Sequence, residues 1–116
     1  MIKVFEPKIY LRDKIAVLNA LNKKNISGGS SEIINFELSL SNYFDRTYVA
    51  TVTNGSTALD VALQSLNLKS DDEVIIPSFT IISCLSAVVR SGAKPVFCDV
   101  NELSWNMTLD DIKKVK

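Results

Sequence analysis

Thr53-Asn54-Gly55-Ser56-Thr57, running into Ala58-Leu59-Asp60-Val61-Ala62-Leu63, is the stretch on which the fold turns. Before it, Tyr48-Val49-Ala50-Thr51-Val52 is rich in β-branched and aromatic residues, which predicts a strand. After it, Leu59, Ala62, Leu63 and Leu66 fall on one face of a helix expected over residues 57–67. A small-residue turn between a strand's carboxyl end and a helix presents backbone amides and hydroxyls at the positive helix terminus, an arrangement suited to a phosphate. Two other readings stay open on these residues alone. Asn54-Gly55 also favours a β-hairpin, with Leu59, Val61 and Leu63 alternating, although Ala58, Ala62 and Gln64 favour helix. A crossover turn that binds nothing is the other.

Working outward, Glu73 to Ile76 reads as a second strand stopped by Pro77. Thr80 is then expected to cap a helix that shows Ile81, Ile82, Leu85, Val88 and Val89 and ends at Gly92. Pro95 to Val100 is a third strand, and Thr108-Leu109-Asp110-Asp111 reads as a capping box opening a helix with Leu109, Ile112 and Val115 inward. Upstream, Leu11, Ile15, Leu18 and Leu21 mark an amphipathic helix. The break from Asn25 to Ser31 supplies Gly28 and Gly29 for unusual backbone angles and a serine cap. A second helix should carry Ile33, Phe36, Leu40 and Phe44 inward. Strands alternating with helices predict an α/β fold with a parallel, doubly wound sheet, because parallel neighbours need crossover helices. Residues 1–47 are a helical lead-in and residues 48–116 the first part of the α/β domain.

Composition removes whole classes of chemistry. The 116 residues hold 13 basic and 13 acidic side chains without a Lys/Arg run, so nothing draws the chain to nucleic acid or anionic lipid. No apolar run is long enough for a membrane span, and the opening Met1-Ile2-Lys3-Val4-Phe5-Glu6 is no signal peptide, so a cytoplasmic location is expected. The absence of histidine excludes the Ser-His-Asp triad and His-rich zinc sites. The glycines, at 28, 29, 55 and 92, form neither a dinucleotide-binding turn nor a Walker loop. Cys84 and Cys98 lack metal-ligand spacing and are expected in the core, as are Phe97 and Trp105.

Three blocks now carry a resemblance. Thr53 to Leu63, then Asp71-Asp72-Glu73-Val74-Ile75-Ile76-Pro77-Ser78-Phe79-Thr80, then Gly92-Ala93-Lys94-Pro95-Val96-Phe97-Cys98-Asp99-Val100, are similar in order and spacing to the DegT/DnrJ/EryC1/StrS sugar aminotransferases. An entry segment, Ile26-Ser27-Gly28 followed by the helix with Phe36-Glu37, is similar too. The resemblance spans nearly the whole chain but only about a third of the family's length. It implies the start of the large-domain parallel sheet of a fold-type-I pyridoxal-phosphate transferase. It further implies a homodimer that moves an amino group from glutamate to a nucleotide-linked 4-keto-6-deoxysugar, with the perosamine-synthetase-like branch preferred.

By the same resemblance, Gly55, Ser56 and Thr57 hold the cofactor phosphate. Lys24, Asn25, Ile26 and Ser27 edge the nucleotide-sugar site, with an ordinary solvated loop as the other reading. Ile81 stands where the family commonly places an aromatic residue against the pyridine ring; it can pack on the ring but lacks a stacking term of about 0.5–1.5 kcal/mol. Asp99 is structural. The family's cofactor-linked lysine, the carboxylate facing the pyridine nitrogen and further phosphate ligands are expected beyond Lys116. No residue of this segment is therefore assigned as catalytic, and the segment alone is not expected to turn over. The resemblance also implies that the strand at residues 48–52 is not adjacent to the other two. The competing readings are a truncated noncatalytic module binding phosphate or nucleotide sugar, and a small flavodoxin-like domain. The reading frame after Lys116 separates them from the enzyme.

Overall fold

The structure, a computed structural model, describes residues 5–115; residues 1–4, at the start of the opening discussed above, and Lys116 lie outside the described residues. The chain forms two compact units, Met1–Thr51 and Val52–Lys116.

The first unit holds helices α1 (Leu11–Asn22) and α2 (Ser31–Phe44). The amide of Tyr10 donates to Asp13 Oδ2 at 2.7 Å, which opens α1 with an acidic side chain where the helix dipole favours one. Lys24, with φ of 59°, takes the left-handed position after α1, whereas Gly28 and Gly29 do not have positive φ. The expectation of unusual angles at that glycine pair is thus corrected. Ser30 is the N-cap of α2, but its side chain makes no capping hydrogen bond. Ile33 and Leu40 are half-buried as expected, while Phe36 and Phe44 are exposed rather than inward. Phe44 instead meets Tyr43 edge-on at 4.9 Å.

No strand forms over residues 48–52. A strand requires a ladder partner as well as β-branched residues, and this segment finds none among the described residues. Thr51 gives its backbone amide and its hydroxyl to Glu37 Oε1, at 2.8 and 2.9 Å. The amide bond, then the hydroxyl bond, hold the Glu37 carboxyl below its ordinary pKa.

The second unit contains α3 (Gly55–Ser65), β1 (Glu73–Pro77), α4 (Ile82–Ser91), β2 (Lys94–Cys98) and α5 (Leu109–Ile112). Strands β1 and β2 pair in parallel as a two-stranded sheet, with Ile75 opposite Val96 and Pro77 opposite Cys98. Helix α4 is the crossover that parallel pairing demands. It ends at Gly92, whose φ of 87° suits glycine and whose amide donates to Val89 O at 3.1 Å.

Val88, on α4, meets Ile76 of β1 and Ala93 in the core, with Leu63, Leu68, Val74 and Leu85 packed around them. Ala87 and Cys98 are also buried. Helix α3 packs on α4, and Arg90 Nε and Nη2 donate to Asp60 Oδ1 at 3.0 and 2.7 Å across that contact. Being partly exposed, this pair contributes about 1 kcal/mol or less. Ile81, Ile82 and Val89 are exposed, so the buried stripe of α4 is narrower than its apolar sequence. Phe97 and Trp105 are exposed as well, against their expected core role; Trp105 packs edge-on against Phe79 at 4.7 Å. Cys84 is only half-buried.

The capping box of α5 forms as read: Asp111 N donates to Thr108 Oγ1 at 3.3 Å and Thr108 N donates to Asp111 Oδ2 at 3.2 Å. The Thr108 hydroxyl, then Lys114 Nζ at 3.2 Å from Asp111 Oδ1, hold the Asp111 carboxyl below its ordinary pKa. A lowered folded-state pKa means the charged form is favoured by folding. Its stabilisation is complete above the unfolded pKa and disappears as pH falls through the folded one. Amide exchange in α5 should accelerate on acidification below the usual carboxylate range, relative to the intrinsic exchange rate, and Asp111→Asn should flatten that dependence. An equally steep profile in the variant would remove Asp111 as its source. Among the described residues no helix is long and apolar enough to cross a membrane.

Candidate functional site

The start of α3 is shaped by Asn54. Its side-chain oxygen accepts from Thr57 N at 2.9 Å and from Thr57 Oγ1 at 3.2 Å, while its backbone oxygen accepts from Ala58 N at 3.1 Å. Thr57, read from the sequence as holding the cofactor phosphate with Gly55 and Ser56, here gives both its amide and its hydroxyl to the cap, which leaves Gly55 and Ser56 of that group as donors. The amides of Gly55 and Ser56 precede the first intrahelical bond and have no acceptor within the helix. No acidic residue occupies the first turn of α3, and nothing lies within 4 Å of where a Cβ would stand on Gly55. The positive helix end is consequently neither neutralised nor crowded at Gly55.

The start of α4 meets the same place. Ile81 is its N-cap, an apolar residue whose side chain cannot accept a hydrogen bond, so Thr80 is not the cap that its sequence suggested. The Thr80 hydroxyl donates to Cys84 Sγ at 3.2 Å instead. Ser56 Oγ donates to Ser83 Oγ at 2.8 Å, joining the first turns of α3 and α4. Gly55, Ser56, Leu59, Ile81 and Ser83 line an open cavity of about 440 Å³. Ile81 is 68% exposed and provides its apolar rim.

This arrangement offers donors to an anion and a hydrocarbon surface to a flat group beside it. The mostly apolar lining suits the ring of pyridoxal phosphate, and the Gly55 and Ser56 amides with the Ser56 and Ser83 hydroxyls are the donors near it that suit its phosphate. A second cavity, of about 580 Å³, has the opposite character, since Asp99, Glu102 and Asp111 line it beside Lys114, Phe79 and Trp105. Its acidic lining disfavours a phosphate. Asp99 stands after β2, and its Oδ1 accepts from Val100 N at 2.8 Å, a local structural role. Burial, then the nearby Asp111 and Asp99 carboxylates, push the Cys98 thiol up, which makes it a poor nucleophile.

Lys24, Asn25, Ile26 and Ser27 belong to the other unit, in the loop between α1 and α2. Lys24 N donates to Leu21 O at 3.0 Å and Asn25 N to Ala20 O at 2.9 Å, closing α1. Asn25 Nδ2 donates to Ser31 Oγ at 3.0 Å, and Ser30 N donates to Ser27 O at 3.0 Å. Ile26 is 76% exposed. The Asn25 side chain is also the leading cause that holds the Glu32 carboxyl below its ordinary pKa. The loop is thus ordered by its own hydrogen bonds while exposing Lys24, Ile26 and Ser27.

Ser83, which the sequence reading did not single out, joins the site only through its hydrogen bond to Ser56 across the two helix starts.

The parallel β1-α4-β2 unit, with the starts of α3 and α4 around one open cavity, is an α/β arrangement, and the comparisons give its family. The chain belongs to the DegT/DnrJ/EryC1/StrS aminotransferase family, which it matches over residues 8–115. It is 34% identical over 113 residues to GDP-perosamine synthase of Escherichia coli O157:H7, covering 97% of this chain and 31% of that protein. An aminotransferase from Psychrobacter cryohalolentis superposes with a TM-score of 0.86 at 36% identity, over 95% of this chain and 28% of its own. A Streptococcus pneumoniae protein assigned as a sugar aminotransferase, in its PLP form, superposes with a TM-score of 0.78 at 25% identity, over 95% of this chain and 28% of its own. The chain thus spans about 31% of the length of that curated relative.

Proposed function

We propose that the chain is the amino-terminal part of a pyridoxal-phosphate-dependent aminotransferase that converts a nucleotide-linked 4-keto-6-deoxysugar to an amino sugar with glutamate as donor, acting as a homodimer. The observation that carries this reading is the convergence of Gly55 and Ser56 with Ile81 and Ser83 on one cavity, within a chain of this family. The similarity to a GDP-perosamine synthase supports the sugar class.

Pyridoxal phosphate, when bound, supplies an electron sink for proton removal at the carbon that carries the amino group. The residues here hold it. The Gly55 and Ser56 amides and the Ser56 hydroxyl donate to the phosphate, while Asn54 keeps α3 starting at that point by capping Thr57. Ile81 packs against the ring. Lys24 to Ser27 edge the nucleotide-sugar site, where the Lys24 ammonium favours an anionic diphosphate.

Titrating apo protein with pyridoxal phosphate tests the assignment. Ser56→Ala removes a hydroxyl donor to a dianion and should weaken binding by about 1.5–3 kcal/mol. Parental affinity in that variant would overturn it.

A further inference from the structure

We propose that Ser83 is a positioning residue for cofactor binding, fixing the Ser56 hydroxyl so that it donates its hydrogen bond to the phosphate. This inference rests on the phosphate reading above and adds a residue from a different helix. The two Oγ atoms lie 2.8 Å apart, both side chains are half-buried, and the residues stand 27 positions apart in sequence. Ser83 sits in the first turn of α4, yet its hydroxyl does not serve that helix, whose N-cap is Ile81. Its hydrogen bond runs to Ser56.

A hydroxyl is one donor and an acceptor, so the pair can run in either direction. Without an anion, Ser56 donates to Ser83. A bound phosphate dianion would only accept, so the Ser56 hydroxyl would turn its hydrogen bond to it. Ser56 Oγ is then left as an acceptor, and Ser83 turns its own proton onto it. The resulting chain runs from Ser83 through Ser56 to the phosphate, and each bond polarises the next. The fixed backbone of α4 also restricts where the Ser56 hydroxyl rests, reducing the rotamer freedom lost on binding.

The test compares apo-protein titrations with pyridoxal phosphate and with pyridoxal, which lacks the phosphate. Ser83→Ala should lower affinity for pyridoxal phosphate about three- to tenfold and leave pyridoxal binding unchanged. Ser83→Thr should retain the parental value, whereas Ser83→Val, its isostere without the hydroxyl, should behave like Ser83→Ala. In a Ser56→Ala background, Ser83→Ala should cost nothing further.

Three results would overturn the proposal: equal affinities for Ser83→Thr and Ser83→Val, parental affinity in Ser83→Ala, or losses from the two alanine substitutions that multiply. If Ser56→Ala weakens binding while Ser83→Ala does not, only the positioning role fails. If Ser56→Ala itself leaves affinity unchanged, the phosphate reading fails and this inference with it. The Thr and Val pair keeps the comparison valid should the alanine variant fold poorly.

Discussion

Gly55→Asp is expected to lower pyridoxal-phosphate affinity by at least two orders of magnitude while leaving the apo protein as stable as the parent or more so. Gly55 is the first residue of α3, its φ is not positive, and nothing lies within 4 Å of the Cβ position, so a side chain fits without backbone strain. A carboxylate there faces the positive helix end, which stabilises it by about 0.3–1 kcal/mol. Aspartate also has a better helix propensity than glycine. The same charge next to a phosphate dianion is repulsive. At an effective dielectric constant near 20, like unit charges about 4 Å apart repel by about 4 kcal/mol. Fold and binding therefore respond in opposite directions, as few substitutions allow. Titration reads affinity and thermal unfolding of the apo protein reads stability. Gly55→Asn, nearly the same size without the charge, should lose much less affinity than Gly55→Asp. Equal losses in both would assign the effect to bulk, and no loss in Gly55→Asp would place the phosphate elsewhere.

The candidate site was partly legible because its main elements are contiguous. Asn54-Gly55-Ser56-Thr57 combines a capping residue with small residues at a helix start, a local pattern that sequence displays directly. What sequence did not display was the division of labour inside it: Asn54 takes the Thr57 amide, so the free amides are those of Gly55 and Ser56. Ser83 was hidden for a different reason. Its hydrogen bond to Ser56 exists only across the α3 and α4 starts, and an isolated serine after Ile81-Ile82 looks like an ordinary polar position on an apolar helix. The apolar N-cap was also unexpected, since propensity favours Thr80; the N-cap is Ile81, one residue later, and the Thr80 hydroxyl donates to Cys84 Sγ instead.

For the fold, β1, α4 and β2 were legible from punctuation as much as from composition. Pro77 closes β1, Gly92 closes α4 in a left-handed conformation, and the run through Cys98 supplies β2. Residues 48–52 carry an equally strong β composition and form no strand. The difference lies in pairing, which a local sequence does not encode. Expecting Phe36, Phe44, Phe97 and Trp105 inside treated hydrophobicity as burial. Their exposure shows which apolar faces lack cover among the described residues.

Val88→Asp is expected to remove most of the stability of the β1-α4-β2 unit. Val88 is 1% exposed and packs with Ile76 and Ala93 at the centre of the core cluster. No basic side chain belongs to that cluster, so the carboxylate would have to remain charged without a partner, protonate, or pull α4 off the sheet. Each route is costly. Uncompensated burial of an ionised group exceeds the few kcal/mol that a core truncation costs, so a loss of about 4 kcal/mol or more is expected. Val88→Ala sets the scale, because deleting its methyl groups should cost about 2 kcal/mol from lost transfer energy and the remaining cavity. Val89→Asp, one residue along on the exposed side of α4, is the matched control and should change stability by about 0.5 kcal/mol or less. Denaturant unfolding followed by amide exchange in β1 and β2 reads all three. If Val88→Asp and Val89→Asp unfold at the same denaturant concentration, α4 does not pack on the sheet through Val88, and the parallel crossover on which the site is built is misplaced.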